Sequence, residues 1–247
     1  MSTFPDDELA AACDFARRVC TLWEAELHRE LLGIYLLGSL AHGGFSRRYS
    51  DIDMAVITES GLTRETLDAL KATAVGVSAA LGPKVSVFWT DRRFALGRFP
   101  PLDRADYLDH AVTLFERERV TPARPSLEEV RAYLTGAPLA NWVKAAGAFA
   151  ASDTLAANDR KSYLRALLYP ARFLMSFMTG KMASNDEAVA RLDGWALPGL
   201  DVDLIRRALA CRRSASHPDP LFPARTQLPR QVAAITQFVA ESEAEQP

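Results

Sequence analysis

The chain is poor in cysteine, carries almost no net charge and has no long apolar run. Only Cys13, Cys20 and Cys211 are present in 247 residues. Their odd number and irregular spacing fit neither a disulfide framework nor a metal motif, which leaves free thiols of a reducing compartment. Basic and acidic residues number 29 and 31, a formal net charge of −2. That balance removes any global electrostatic case for a nucleic-acid partner. No apolar stretch approaches the ~20 residues that span a bilayer. The N-terminus, MSTFPDDELAAACDFARR, lacks a basic region ahead of an apolar run, so it does not read as a signal peptide. Together these absences predict a cytoplasmic protein with no membrane and no nucleic-acid partner.

What is present is ordinary for a globular chain: 49% hydrophobic and 24% charged residues. The length suits one large domain or two modest ones. Apolar residues Leu9, Cys13, Ala16, Val19, Leu22 and Trp23 recur at helical steps after a cap at Asp6 or Asp7. Leu31–Leu37, LLGIYLL, is short and continuously apolar, as a strand buried on both faces is. A Gly- and Ser-containing stretch leads into DIDMAVIT, a second strand with a polar start. A helix over 63–81 is capped at Thr63 and broken at Gly82-Pro83; a third strand follows at 84–90 and a short one at 110–115. Pro122 and Pro125 mark a linker over 120–126. Beyond it strand signals stop, and helices are expected at 127–134, 140–157, 163–178, 186–192, 202–211 and 231–242. The predicted architecture is an α/β (α+β) domain with a mixed sheet at 1–120, followed by an all-helical C-terminal domain at 126–247.

The chemistry concentrates in GSLAHGGFSRRYSDIDMAV, residues 38–56. Gly38 lets backbone approach a ligand closely, and the Ser39 hydroxyl suits a phosphate oxygen. Residues two apart on a strand point to one side, so Asp51 and Asp53 project together while Ile52 points away. Two adjacent carboxylates repel unless a cation lies between them, which makes a divalent metal the natural occupant. A lone D-x-D is most often a solvated turn, and a lone Gly-Ser a simple bend. The combination of buried strand, Gly-Ser, an eleven-residue gap and D-x-D opening an apolar strand is what carries the functional reading.

These residues resemble the signature of the nucleotidyltransferase superfamily of the DNA polymerase β type, which includes the aminoglycoside adenylyltransferases. The resemblance implies a mixed sheet flanked by helices, ATP as donor substrate, two Mg2+ ions, and transfer of a nucleoside monophosphate to the hydroxyl of a small-molecule acceptor. It puts Asp51 and Asp53 on the metals, and Gly38, Ser39 and Ser50 on the triphosphate. Residues 168–192, LYPARFLMSFMTGKMASNDEAVARL, are similar to the helical domain of the streptomycin/spectinomycin-type adenylyltransferases, which assigns Arg172 and Lys181 to the nucleotide. The site is then expected in a cleft closed by the helical domain.

The pattern also departs from the family. A third carboxylate is expected on the strand at 84–90, where Lys84 or Ser86 stands, depending on the alignment. Asp91 has the opposite strand parity, and Asp103, Asp106 and Asp109 follow in a stretch with no assigned place. Asn185 replaces a basic residue after T-G-K, and Asn158 and Ser162 stand where acidic residues hold a polycationic acceptor. Two hypotheses follow: an active nucleotidyltransferase, or a nucleotide-binding pseudoenzyme or interaction module that kept the carboxylate pair and lost its base. Arg47 and Arg48 sit in the phosphate loop but read equally as solvated loop arginines, and His42 there reads first as a loop side chain; His110 reads as a strand histidine, Trp89, Trp142 and Trp195 as core aromatics, and His217 as a loop residue without metal-ligand spacing.

Overall fold

The computed structural model describes residues 6–195 and 197–244. Residues 1–5 and 245–247, with the start of the chain and the end of the acidic tail, lie outside them, as does the side chain of Asp6. The chain divides into two compact units, Met1–Pro125 and Ser126–Pro247.

In the first unit, helix α1 (Asp6–Leu27) leads into strand β1 (Leu31–Leu37), a single turn α2 (Gly38–Ala41) and strand β2 (Ile52–Thr58). Helix α3 (Arg64–Val77), strand β3 (Val85–Asp91), helix α4 (Pro101–His110) and strand β4 (Val112–Glu116) complete it. The sheet order is β3-β2-β1-β4. β1 runs antiparallel to β2 and β4, whereas β2 and β3 are parallel, joined through α3. The sheet is mixed, as expected.

Both faces of the sheet are covered. On one, Phe15, Ala16, Val19 and Trp23 of α1 pack with Ile34, Leu36, Ile52, Met54 and Val56. The Trp23 indole is fully buried and donates to the Leu70 carbonyl of α3 at 2.8 Å, which satisfies its only polar atom. On the other, Leu32, Tyr35, Leu37, Ala55, Ile57 and Phe88 pack with Tyr107 of α4. Leu32 and Ile34 fall on opposite faces although they are two apart. A register shift between Leu31 and Gly33 explains this, since one extra residue reverses strand parity. Asp53 shares parity with Ala55 and Ile57, so it belongs to the α4 face.

α4 corrects the sequence reading. His110 closes this helix rather than opening a strand, and β4 starts only at Val112. Pro101 stands in the helix's first turn, where its missing N–H costs nothing.

The second unit is all-helical: α5 (Leu127–Thr135), α6 (Ala137–Ala151), α7 (Arg160–Thr179), α8 (Asn185–Ala190), α9 (Leu192–Trp195), α10 (Val202–Arg213) and α11 (Leu228–Ala244). Ser126 and Glu129 cap α5 reciprocally. The long helix expected to reach 157 ends at Ala151, and the segment with Pro220 and Pro223 forms 3-10 turns at Asp219–Gln227. Pro170 lies inside α7 and cannot donate to the carbonyl four residues before it. That carbonyl, of Ala166, instead accepts from the Trp142 indole at 2.9 Å. Trp142 is buried and stacks on Tyr169 with ring centroids 4.7 Å apart. Its role is structural, and it repairs the gap that Pro170 leaves.

Candidate active site

β1 ends at Leu37, and the chain must turn at once into α2. Gly38 makes that turn at φ +60. A Cβ at this position would lie 2.4 Å from Asp53 Oδ2. The glycine is therefore required twice: for the left-handed backbone, and because the Asp53 carboxylate fills the space a side chain would take. Leu37 is the register partner of Asp53, so adjacent strands bring the end of β1 and the carboxylate together.

The loop between α2 and β2 is held from inside. Phe45 and Tyr49 are buried, which anchors the loop on the core. The Gly44 amide donates to the Ser39 carbonyl at 2.9 Å, and the Ser50 amide to the Ser46 carbonyl at 2.7 Å. Ser50 is buried, and its hydroxyl accepts from Ser39 Oγ and from the Ser46 amide, both at 2.9 Å. Ser50 thus fixes the orientation of Ser39. Asp51 and Asp53 are both half-buried. The fold brings Gly38, Ser39, Ser50 and Asp53 together in this first unit, with Asp51 between Ser50 and β2.

The parallel register pairs Asp53 with Ser86. Ser86 has the parity of Phe88, which packs on the α4 face, so Ser86 rather than Lys84 stands beside Asp53. The Lys84 ammonium donates to the Arg47 carbonyl, tying β3's start to the loop. Asp91 is paired with Thr58, five residues further along β3 from Ser86 and so about 16 Å away. Its carboxylate accepts from the amides of Arg93, Ala95 and Leu96 at 3.3, 2.7 and 2.8 Å. Burial opposes its charge, but those amides outweigh it and hold the carboxyl below its ordinary value. Asp91 organises its own turn.

Sequence reasoning missed Asp106. It is buried on α4, and its Oδ2 accepts from the Gly38 amide at 2.9 Å. Covalent geometry through Gly38 then keeps the Asp53 and Asp106 carboxylates within about 8 Å of one another. The other oxygen of Asp106, Oδ1, lies 2.6 Å from His42 Nε2. A histidine in the loop and acids in an unassigned segment were the only signals available. Arg47 and Arg48 are solvent-exposed. In the second unit, Arg172 and Lys181 are also exposed, and the Arg172 guanidinium lies 3.8 Å from Met182 Sδ.

No protein-family model matches the chain, and no curated protein sequence matches it. Among solved structures it is similar to spectinomycin adenyltransferase AAD(9) from Enterococcus faecialis, determined with ATP and spectinomycin. The two share 12% identity at a TM-score of 0.66, over 89% of this chain and 98% of that chain. A toxin-antitoxin structure with AMP-PNP is 22% identical over 41% of this chain and 74% of that one, at a TM-score of 0.32, and nothing rests on it. The first likeness establishes the fold alone: an α/β unit followed by a helical one, similar to that adenyltransferase, as the sequence resemblance implies.

Proposed function

We propose that this protein is a metal-dependent nucleotidyltransferase, moving AMP from ATP to a hydroxyl of a small-molecule acceptor. The observation that carries the reading is the close packing of the Asp53 carboxylate against Gly38 at φ +60, at the end of a strand in an adenylyltransferase fold. Backbone without a side chain and a carboxylate meet there, as a site for a metal-bound triphosphate requires.

Asp51 and Asp53 offer hard carboxylate oxygens, a donor set that suits magnesium. When bound there, Mg2+ would offset the negative charge of the triphosphate and polarise the reacting phosphorus. The chain's own residues bind and orient. Ser39 would turn its one hydroxyl proton from Ser50 Oγ to a phosphate oxygen, and the missing side chain of Gly38 leaves room for the Asp53 carboxylate. Arg172 and Lys181 are the cations this reading assigns to the nucleotide. The solved AAD(9) structure holds ATP and spectinomycin, which supports ATP as donor and a small polar acceptor.

A second reading, a nucleotide-binding pseudoenzyme, is favoured by one observation: Ser86, not a carboxylate, stands beside Asp53 on β3. Loss of a general base costs roughly 10²–10⁴-fold in rate, so turnover separates the two. The test is incubation of the protein with α-labelled ATP and magnesium, against a panel of aminoglycosides and a metabolite extract. Label transfer that disappears in Asp53→Ala supports the enzyme. Magnesium-dependent ATP binding without transfer supports the second reading, and absence of ATP binding refutes both.

A further inference from the structure

We propose that His42, Asp106 and His110 form a binding site for a divalent transition ion of the zinc class, using neither carboxylate of the Asp51/Asp53 pair. One donor atom from each of the three lies within 4.8 Å of the others. His42 Nε2 and Asp106 Oδ1 are 2.6 Å apart, and the rings of His42 and His110 are 4.6 Å apart between centroids. Asp106 and His110 are four residues apart on α4 and share a helix face.

The donor set is specific. Two imidazoles and one carboxylate suit zinc, cobalt or nickel over magnesium. Three protein ligands leave a fourth position for water. The carboxylate is already oriented: the Gly38 amide holds its second oxygen at 2.9 Å, the kind of outer contact that fixes a metal ligand. The Asp106 and His42 side chains are only 2% and 6% exposed, so two ligands sit in a sheltered pocket. His110 is solvent-exposed; bringing all three to bonding distance needs a movement of about 1–2 Å. On binding, the ion replaces the hydrogen between His42 Nε2 and Asp106 Oδ1, a neutral imidazole keeping its one N–H on Nδ1, and nitrogen and oxygen both turn to the ion. The ion then ties the end of α4 to the turn that carries Gly38, so it stiffens the loop.

The probe is Co2+, whose visible absorption reports four-coordinate nitrogen and oxygen ligation. It is titrated into the wild-type chain and into the Asp51→Asn/Asp53→Asn double variant, which lacks the other carboxylate pair. The expected result is one four-coordinate Co2+ per chain in both, with any ion at Asp51 and Asp53 oxygen-ligated and weakly absorbing, displaced by Zn2+ and without the thiolate charge-transfer band that the cysteines would produce. His110→Ala, at an exposed position, is expected to weaken binding by about tenfold or more and to abolish the rise in melting temperature that Zn2+ causes. His110→Gln provides a second variant with a side chain of similar size. Absence of Co2+ binding at millimolar concentration overturns the proposal. So does binding of unchanged affinity in both His110 variants, or binding lost in the double variant.

Discussion

Gly38→Ala isolates the close approach on which the functional reading rests. The substitution has two costs. Alanine at φ +60 pays about 1–2 kcal/mol for left-handed backbone. Its Cβ would also lie 2.4 Å from Asp53 Oδ2, where ordinary contact begins near 3.4 Å, so the carboxylate must retreat by about 1 Å. Gly43→Ala is the matched control: φ is +73 there, and a Cβ would meet nothing within 4 Å. Both variants should lose similar stability from backbone strain, read by thermal unfolding. Only Gly38→Ala should displace Asp53. Calorimetry of ATP binding with and without magnesium measures the difference. The magnesium-dependent Kd should rise at least about tenfold in Gly38→Ala, or ~1.4 kcal/mol, and stay unchanged in Gly43→Ala. If the enzyme turns over, a misplacement of about 1 Å should cost roughly 10²-fold in rate. Equal ATP affinities in the two variants would refute the assignment of Asp53 to the nucleotide site.

Two further outcomes test how the units are held. Trp142→Phe removes the donor to the Ala166 carbonyl and should cost about 1–3 kcal/mol in denaturant unfolding; that cost should shrink in a Pro170→Ala background, where the helix amide returns, and a cost independent of residue 170 would refute the repair. Asp91 has a carboxyl lowered by its turn amides, so its contribution is complete above the ordinary aspartate value of about 4 and is lost as pH falls through the lower folded value. The stability gap between wild type and Asp91→Asn should therefore be constant near neutral pH and close in acid, and a gap that widens in acid would reverse the sign.

The local features of the site were legible because they depend on neighbouring residues. The run LLGIYLL marks β1 because a strand buried on both faces has no polar position to alternate. Thr63 marks the start of α3, and its hydroxyl accepts from the Thr66 amide as the cap reading requires. The expectation that Asp51 and Asp53 share a side rests on strand parity, whereas β2 itself opens only at Ile52. α4 was missed because Pro100-Pro101 and the polar run DRADYLDH carry a weak apolar stripe, and only Leu102, Ala105, Asp106 and Tyr107 are buried along it. Burial of an aspartate is a tertiary fact that no apolar periodicity announces.

By itself, then, the sequence determined most elements other than α4, the order α/β then helical, and the nearness of Gly38 to Asp53, because propensity, capping and parity act over a few residues. Tertiary structure decided the rest. It chose Ser86 over Lys84 as the neighbour of Asp53, since register between β2 and β3 depends on how α3 and the sheet pack. It gave Trp142 to a carbonyl freed by Pro170, across 24 residues. It also brought Asp106 to Gly38 across 68 residues, because only a folded sheet with α4 on its face places those two groups within a hydrogen bond's length.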